Sequence, residues 1–179
     1  VMNYVRLING AFSTKPTSEW EEPDPIPWQA IMGREGNIYE TYDEFMDAEG
    51  HRDWPSIAVY FYRDEWIMGD IEYQQALFEE IYKHQYNPII FYGQYGSNPR
   101  VGIPNMKLSM NHLFGKDEFP FDVLINTCKF SFQSLGAQTL EELKLQDVPI
   151  VQGYTIYMDE KSWAENPQGV TPLDVNLSI

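Results

Sequence analysis

Arg63, Trp66, Gly69 and Asp70 fall within one short stretch, RDEWIMGD, directly after the apolar run 57–62. A guanidinium at a strand end can grip a carboxylate or other anion through a bidentate fork, and an indole offers a flat apolar platform. The competing role for Arg63 is an ion pair with a nearby Asp or Glu that holds the loop, with Gly69 easing the turn. Phosphate-loop chemistry is excluded here, because neither G-x-x-x-x-G-K-[ST] nor G-x-G-x-x-G follows this strand. His51, His84 and His112 are each isolated in sequence and make no zinc spacing with the lone Cys128. Cys128 has no histidine placed to act as its base, so its expected role is a buried structural thiol. Ser131 and Ser134 lack the G-x-S-x-G elbow of a hydrolase nucleophile. Phe130, Phe132, Tyr154 and Tyr157 gather near expected strand ends, where they can pack a core or line a pocket for a large planar ligand.

Positioning these residues requires a strand–helix alternation. Residues 57–62 have the continuous apolar character of a strand covered on both faces. Between 71 and 85, Ile71, Ala76, Leu77, Ile81 and Tyr82 make an apolar helical stripe, with Glu72, Gln75, Glu79, Glu80 and Lys83 toward water. A second strand follows at 89–92, then a Gly- and Pro-punctuated loop at 93–104 and a helix at 106–114. Residues 121–127 make a third buried strand. A helix starts near Thr139, and a fourth strand covers 150–154, running on toward 157. Upstream, residues 2–12 suit a short helix, and 13–27 form a Pro-rich loop. Residues 33–36 make a turn, and 41–49 a short helix with Thr41 as N-cap and Glu44 as its capping-box partner. The expected fold is α/β, an open and mainly parallel sheet flanked by helices in the Rossmann or flavodoxin manner. It is divided into an irregular acidic segment, 1–50, and an α/β domain, 51–179.

Composition narrows the function classes. With 179 residues, 43% apolar and 15% aromatic, the chain can bury a sizeable core. Its 12 basic and 27 acidic side chains leave a net charge of −15, the reverse of what a phosphate track demands. Nucleic acid is therefore not an expected partner, an acidic DNA mimic being the exception in principle. Ten of the 27 carboxylates fall between Glu19 and Glu49, which fits a solvated acidic face. One cysteine permits no internal disulfide, as suits a reducing compartment. No apolar run approaches the ~20 residues of a membrane span. The first residue is Val1 and the last, Ile179, ends an apolar stretch, so both ends look cut from something longer.

The order of these pieces resembles the large subunit of tetrapyrrole chelatases, the CobN-type cobaltochelatase and the H subunit of magnesium chelatase. PSIAVYFYR at 55–63 is similar to that family's P-x-V-G-I-x-F-Y-R strand, and QALFEEI at 75–81 to the helix that follows it. QYNPIIF at 85–91, FDVLINTCKFSF at 121–132 and LKLQDVPIVQ at 143–152 match later family segments in order and spacing. Trp163 and the stretch GVTPLDV at 169–175 match the closing one. The resemblance covers roughly 33–179. Asp64 stands where relatives often carry a small polar residue, and the glycine-rich stretch after the third strand is reduced to Gly136.

The resemblance implies an N-terminal piece of a chelatase subunit that holds a tetrapyrrole while a AAA+ partner drives ATP-dependent metal insertion. Cobalt insertion into a corrin precursor is favoured over magnesium into protoporphyrin. The alternatives are a haem-uptake relative that removes iron, and a non-catalytic interaction domain. No catalytic or metal-ligating residue is implied in this piece, and no cofactor bound by it. The whole complex would use ATP with Mg²⁺ and a divalent metal substrate. Pocket-side candidates are Arg63, Trp66, Asp70, Phe130, Gln152 and Tyr154. The implied partners are the remaining domains of the subunit, the ATPase and associated chelatase subunits, and the tetrapyrrole. The implied location is cytoplasmic, or envelope-associated for the haem-uptake alternative.

Overall fold

A computed structural model describes residues 25–94, 97–115, 119–128, 141, 147–153, 155, 159–167 and 169. Within them the chain runs β1 (Ala30–Met32), β2 (Ile38–Tyr39), α1 (Tyr42–Ala48), β3 (Ser56–Tyr62), α2 (Arg63–Met68) and α3 (Glu72–Lys83). It continues as β4 (Asn87–Gly93), α4 (Met106–Phe114), β5 (Val123–Asn126), β6 (Ile150–Gln152) and α5 (Glu160–Glu165). The described strands form one sheet of order β2-β1-β4-β3-β5-β6. β4, β3, β5 and β6 are mutually parallel, whereas β1 is antiparallel to both β2 and β4.

The parallel part confirms the expected α/β class. β3, the first parallel strand, lies between the second, β4, and the third, β5. The chain steps from β3 to β4 in one direction and from β4 past β3 to β5 in the other. Right-handed crossovers accordingly put α3 and α4 on opposite faces of the sheet. The crevice between the carboxyl ends of β3 and β5, where the winding reverses, is the place an open α/β sheet offers a ligand.

β3 and β4 form the centre because both are covered on two faces. Tyr60, Phe61, Ile89, Ile90, Phe91 and Tyr92 are all essentially inaccessible to solvent. Each such side chain contributes roughly 2 to 3 kcal/mol of burial. On one face Phe91 meets Phe114 of α4 edge-on at 5.1 Å, and Phe114 meets Phe121 at 5.3 Å. On the other, Tyr92 packs against Trp66 of α2, with ring centres 5.6 Å apart and near-parallel planes.

Three expectations need correction. The sheet crosses residue 50, because the apolar triplet Ala30, Ile31, Met32 is fully buried against the open edge of β4. Residues 63–70, expected as a turn, begin with helix α2. Asp64 and Glu65 suit its first turn, and Gly69 ends it in the left-handed region at φ 77°. Ala76 is exposed, and the buried stripe of α3 is Gln74, Phe78 and Ile81. Phe78, nearly inaccessible to solvent, sets that face. Thr41 does cap α1, its side chain accepting from the Glu44 N–H at 3.3 Å. The Glu44 carboxylate reaches back one residue further, to the Glu40 N–H at 3.0 Å.

Candidate functional site

The carboxyl edge between β3 and β5 holds a hydrogen-bonded polar cluster assembled from three elements. The end of β3 leads directly into α2, so Glu65 points back across the crevice toward the start of α3. Its Oε2 accepts from the Tyr73 hydroxyl at 2.7 Å and from Gln74 Nε2 at 2.6 Å. Tyr73 also lies 3.1 Å from Thr127 Oγ1, which donates to the Tyr60 carbonyl at 2.8 Å. Burial, with the Glu65 carboxylate beside it, pushes the Tyr73 phenol far above its ordinary range. Gln74 is completely buried, and its Oε1 has no hydrogen-bond partner among the described residues.

A second group of amide contacts closes the tips of β5 and β6. Asn126 Nδ2 donates to Gln152 Oε1 at 2.8 Å, and Gln152 Nε2 donates to the Cys128 carbonyl at 2.9 Å. The Cys128 N–H completes the ring by donating to Asn126 Oδ1 at 3.2 Å. Asn126 and Gln152 are opposed in the parallel register, so the ladder follows directly from strand pairing. The Cys128 thiol is buried and free. Burial first, and the Glu65 charge second, push its pKa well above the usual thiol value, against a hydrogen bond with Tyr62. A thiolate nucleophile is therefore disfavoured, in line with a structural role.

The candidate residues are placed as follows. Arg63 donates through Nε to the Pro27 carbonyl at 2.8 Å and through a terminal nitrogen to the Ile26 carbonyl at 3.0 Å. Its guanidinium lies 4.5 Å from the centre of the Trp28 ring. The side chain thus holds the segment leading into β1, through carbonyls and an indole face instead of a carboxylate. Trp66 is half-buried with its ring on Tyr92, and Asp70 is exposed. Gln152 belongs to the amide ring just described. Phe130 and Tyr154 lie outside the described residues. Asp64, Asp70 and Glu72 are all exposed around the same turn, which makes the rim acidic.

Sequence reasoning missed Glu65, Tyr73, Gln74, Asn126 and Thr127. A signal for two of them was available: Tyr73 and Gln74 are polar residues of the first turn of a helix that begins at the sheet's carboxyl edge.

At the opposite, amino edge, Arg34, Glu49, Gly50, His51 and Tyr82 line a shallow cleft of about 500 Å³. Its groups are engaged with one another. Arg34 Nε donates to Glu79 at 2.7 Å while its guanidinium lies 4.5 Å from the Tyr82 ring centre. His51 stacks on Trp54 with ring centres 3.9 Å apart, and its Nε2 meets the Tyr82 hydroxyl at 2.8 Å. Among the described residues no group of three or more His, Cys, Asp or Glu side chains could hold a metal ion, and no helix is long and apolar enough to cross a membrane.

Comparison with known proteins adds three findings. The family model described as CobN/Magnesium Chelatase matches residues 1–179. The uncharacterized protein MJ0908 of Methanocaldococcus jannaschii is 32% identical over 172 residues, covering 90% of this chain and 14% of that protein. The catalytic subunit of cobaltochelatase from Mycobacterium tuberculosis shares the fold with a TM-score of 0.59 at 20% identity. That match covers 96% of this chain and 13% of the subunit. The chain thus spans about one seventh of the length of these relatives.

Proposed function

We propose, because the chain belongs to the CobN/magnesium chelatase family, that it is an accessory α/β domain of a large tetrapyrrole-holding chelatase subunit. The family match over the whole chain carries this reading. In it the subunit binds the tetrapyrrole, and a AAA+ partner uses ATP and Mg²⁺ to drive a divalent metal into the ring. Cobalt into a corrin precursor is the first candidate and magnesium into protoporphyrin the second. The domain supplies no catalytic group; its part is to pack on the body that does.

The geometry favours packing over direct ligand contact. Tetrapyrrole propionates need cations, yet Arg63 is turned inward to the Ile26 and Pro27 carbonyls, and the surrounding rim carries Asp64, Asp70 and Glu72. Trp66 and Gln152 stand behind the edge as its supports. Titrating full-length subunit with a porphyrin and with a corrin precursor, read by tryptophan quenching, tests the reading. Adding Co²⁺ or Mg²⁺ with ATP and the ATPase then follows insertion by the visible spectrum. Binding and insertion are expected. Absence of tetrapyrrole binding would sink the chelatase role, and loss of iron from added haem would replace insertion by removal.

A further inference from the structure

Three separate connections bring exposed apolar side chains to one edge of the sheet. Ile26 precedes β1, Ile67 and Met68 end α2, Val101 lies beyond β4 and Leu108 sits in the first turn of α4. Antiparallel β1 begins opposite the end of β4, so all five belong to the carboxyl edge. Their exposures are large: 44% for Ile26, 44% for Ile67, 80% for Met68, 60% for Val101 and 56% for Leu108. Exposed apolar groups gathered on one edge from separate stretches of chain mark an interaction surface.

We infer that this carboxyl edge is an interface, covered in the assembled subunit by the remainder of the same polypeptide. The inference rests on the chain being one part of a larger subunit and adds which face meets the rest. Two observations select that occupant. The chain corresponds to only 13 to 14% of the length of its relatives, so most of such a polypeptide lies elsewhere. Ile67 and Met68 are flanked in the chain by the exposed carboxylates Asp64, Asp70 and Glu72, and Val101 by the exposed Arg100. The propionates of a tetrapyrrole laid on Ile67 and Met68 would meet the carboxylates of the α2–α3 turn. A polypeptide surface with an apolar centre and basic groups facing the α2–α3 turn fits both features.

The test is thiol labelling of full-length subunit with a maleimide, quantified peptide by peptide by mass spectrometry. Met68→Cys and Leu108→Cys report on the carboxyl edge, Lys83→Cys and Tyr86→Cys on the amino edge. Retention of the wild-type thermal midpoint qualifies each variant, and hydrogen exchange of the wild-type subunit over the same peptides gives a measurement that needs no substitution. Positions 68 and 108 are expected to label roughly tenfold or more slowly than 83 and 86, with matching amide protection. Equal labelling at all four positions would overturn the inference. So would slow labelling that disappears on dilution, which marks a second copy, or that needs added tetrapyrrole, which marks the ligand. Tetrapyrrole binding by the same preparations reports separately on the chelatase reading. Protection without binding leaves the interface standing, and binding without protection removes it alone.

Discussion

The two edges of the parallel sheet both fasten backbone with polar side chains, but they differ in the apolar groups they expose. At the amino edge the fastening centres on Asn87 and Glu49. Asn87, buried at the start of β4, accepts from the His51 N–H at 2.8 Å and donates to the His51 and Trp54 carbonyls at 2.9 and 3.0 Å. Glu49 accepts from the Arg34 N–H at 2.8 Å and from the Tyr39 hydroxyl at 2.6 Å. At the carboxyl edge Arg63, Thr127 and Gln152 likewise donate to backbone carbonyls, the Glu65–Tyr73–Gln74 group bonds side chain to side chain, and Ile67, Met68, Val101 and Leu108 stand exposed. On the interface reading, the edge that leaves apolar groups outward is the one the rest of the subunit covers.

Substitutions test that contrast, and the largest effect belongs to the amino edge. Asn87→Ala strands the His51 N–H and the Trp54 carbonyl, while the His51 carbonyl keeps the Trp54 N–H at 3.0 Å; it is expected to lower stability by about 3 kcal/mol, measured by urea denaturation. Gly50→Ala comes next. A Cβ there would stand 2.7 Å from the Met46 Cα, a backbone atom that cannot swing aside, so a loss of about 2 kcal/mol is expected. At the carboxyl edge Tyr73→Phe removes one hydroxyl shared by Glu65 and Thr127, with an expected loss of about 1 kcal/mol. A loss matching Asn87→Ala would show that both edges are equally structural.

The Tyr39 phenol sharpens the comparison through pH. Its hydrogen bond to Glu49, with burial and the Glu49 charge, pushes its pKa up to about 12. A raised pKa means the contribution is fully present below the unfolded value of about 10, and is lost as pH rises through about 12. An alkaline stability titration should show that loss, and Tyr39→Phe should flatten it; an unchanged profile in the variant would remove the assignment. Smallest of all, Met68→Lys should change the stability of the 179-residue chain by no more than about 0.5 kcal/mol, because that side chain touches solvent. A substantial loss would mean that the carboxyl edge is already covered by its own chain.

Much of the architecture was legible in residue order. The apolar runs at β3 and β4, Thr41 as the cap of α1 and the helix beginning at Met106 all read directly from composition and spacing. So did the family, through motifs spread over the chain. The hidden parts share a physical cause. The β1–β2 hairpin is short, and its antiparallel pairing with β4 depends on an edge that exists only after the sheet forms. The buried face of α3 turned on Phe78 and Gln74, and a buried glutamine breaks the apolar pattern that marks a helix's inner face. Arg63 looked available because sequence shows a charge and not its partners.

By itself, then, the sequence determined the strand–helix alternation, the acidic balance and the family, because these depend on local periodicity, summed charge and motif order. Only the tertiary structure decided what the strand-end residues do. Carbonyls 36 and 37 residues away engage Arg63, Thr127 reaches Tyr73 across 54 residues, and Asn126 reaches Gln152 across 26. Such contacts are set by which strands become neighbours. That choice follows from packing and handed crossovers, and no local run of residues records it.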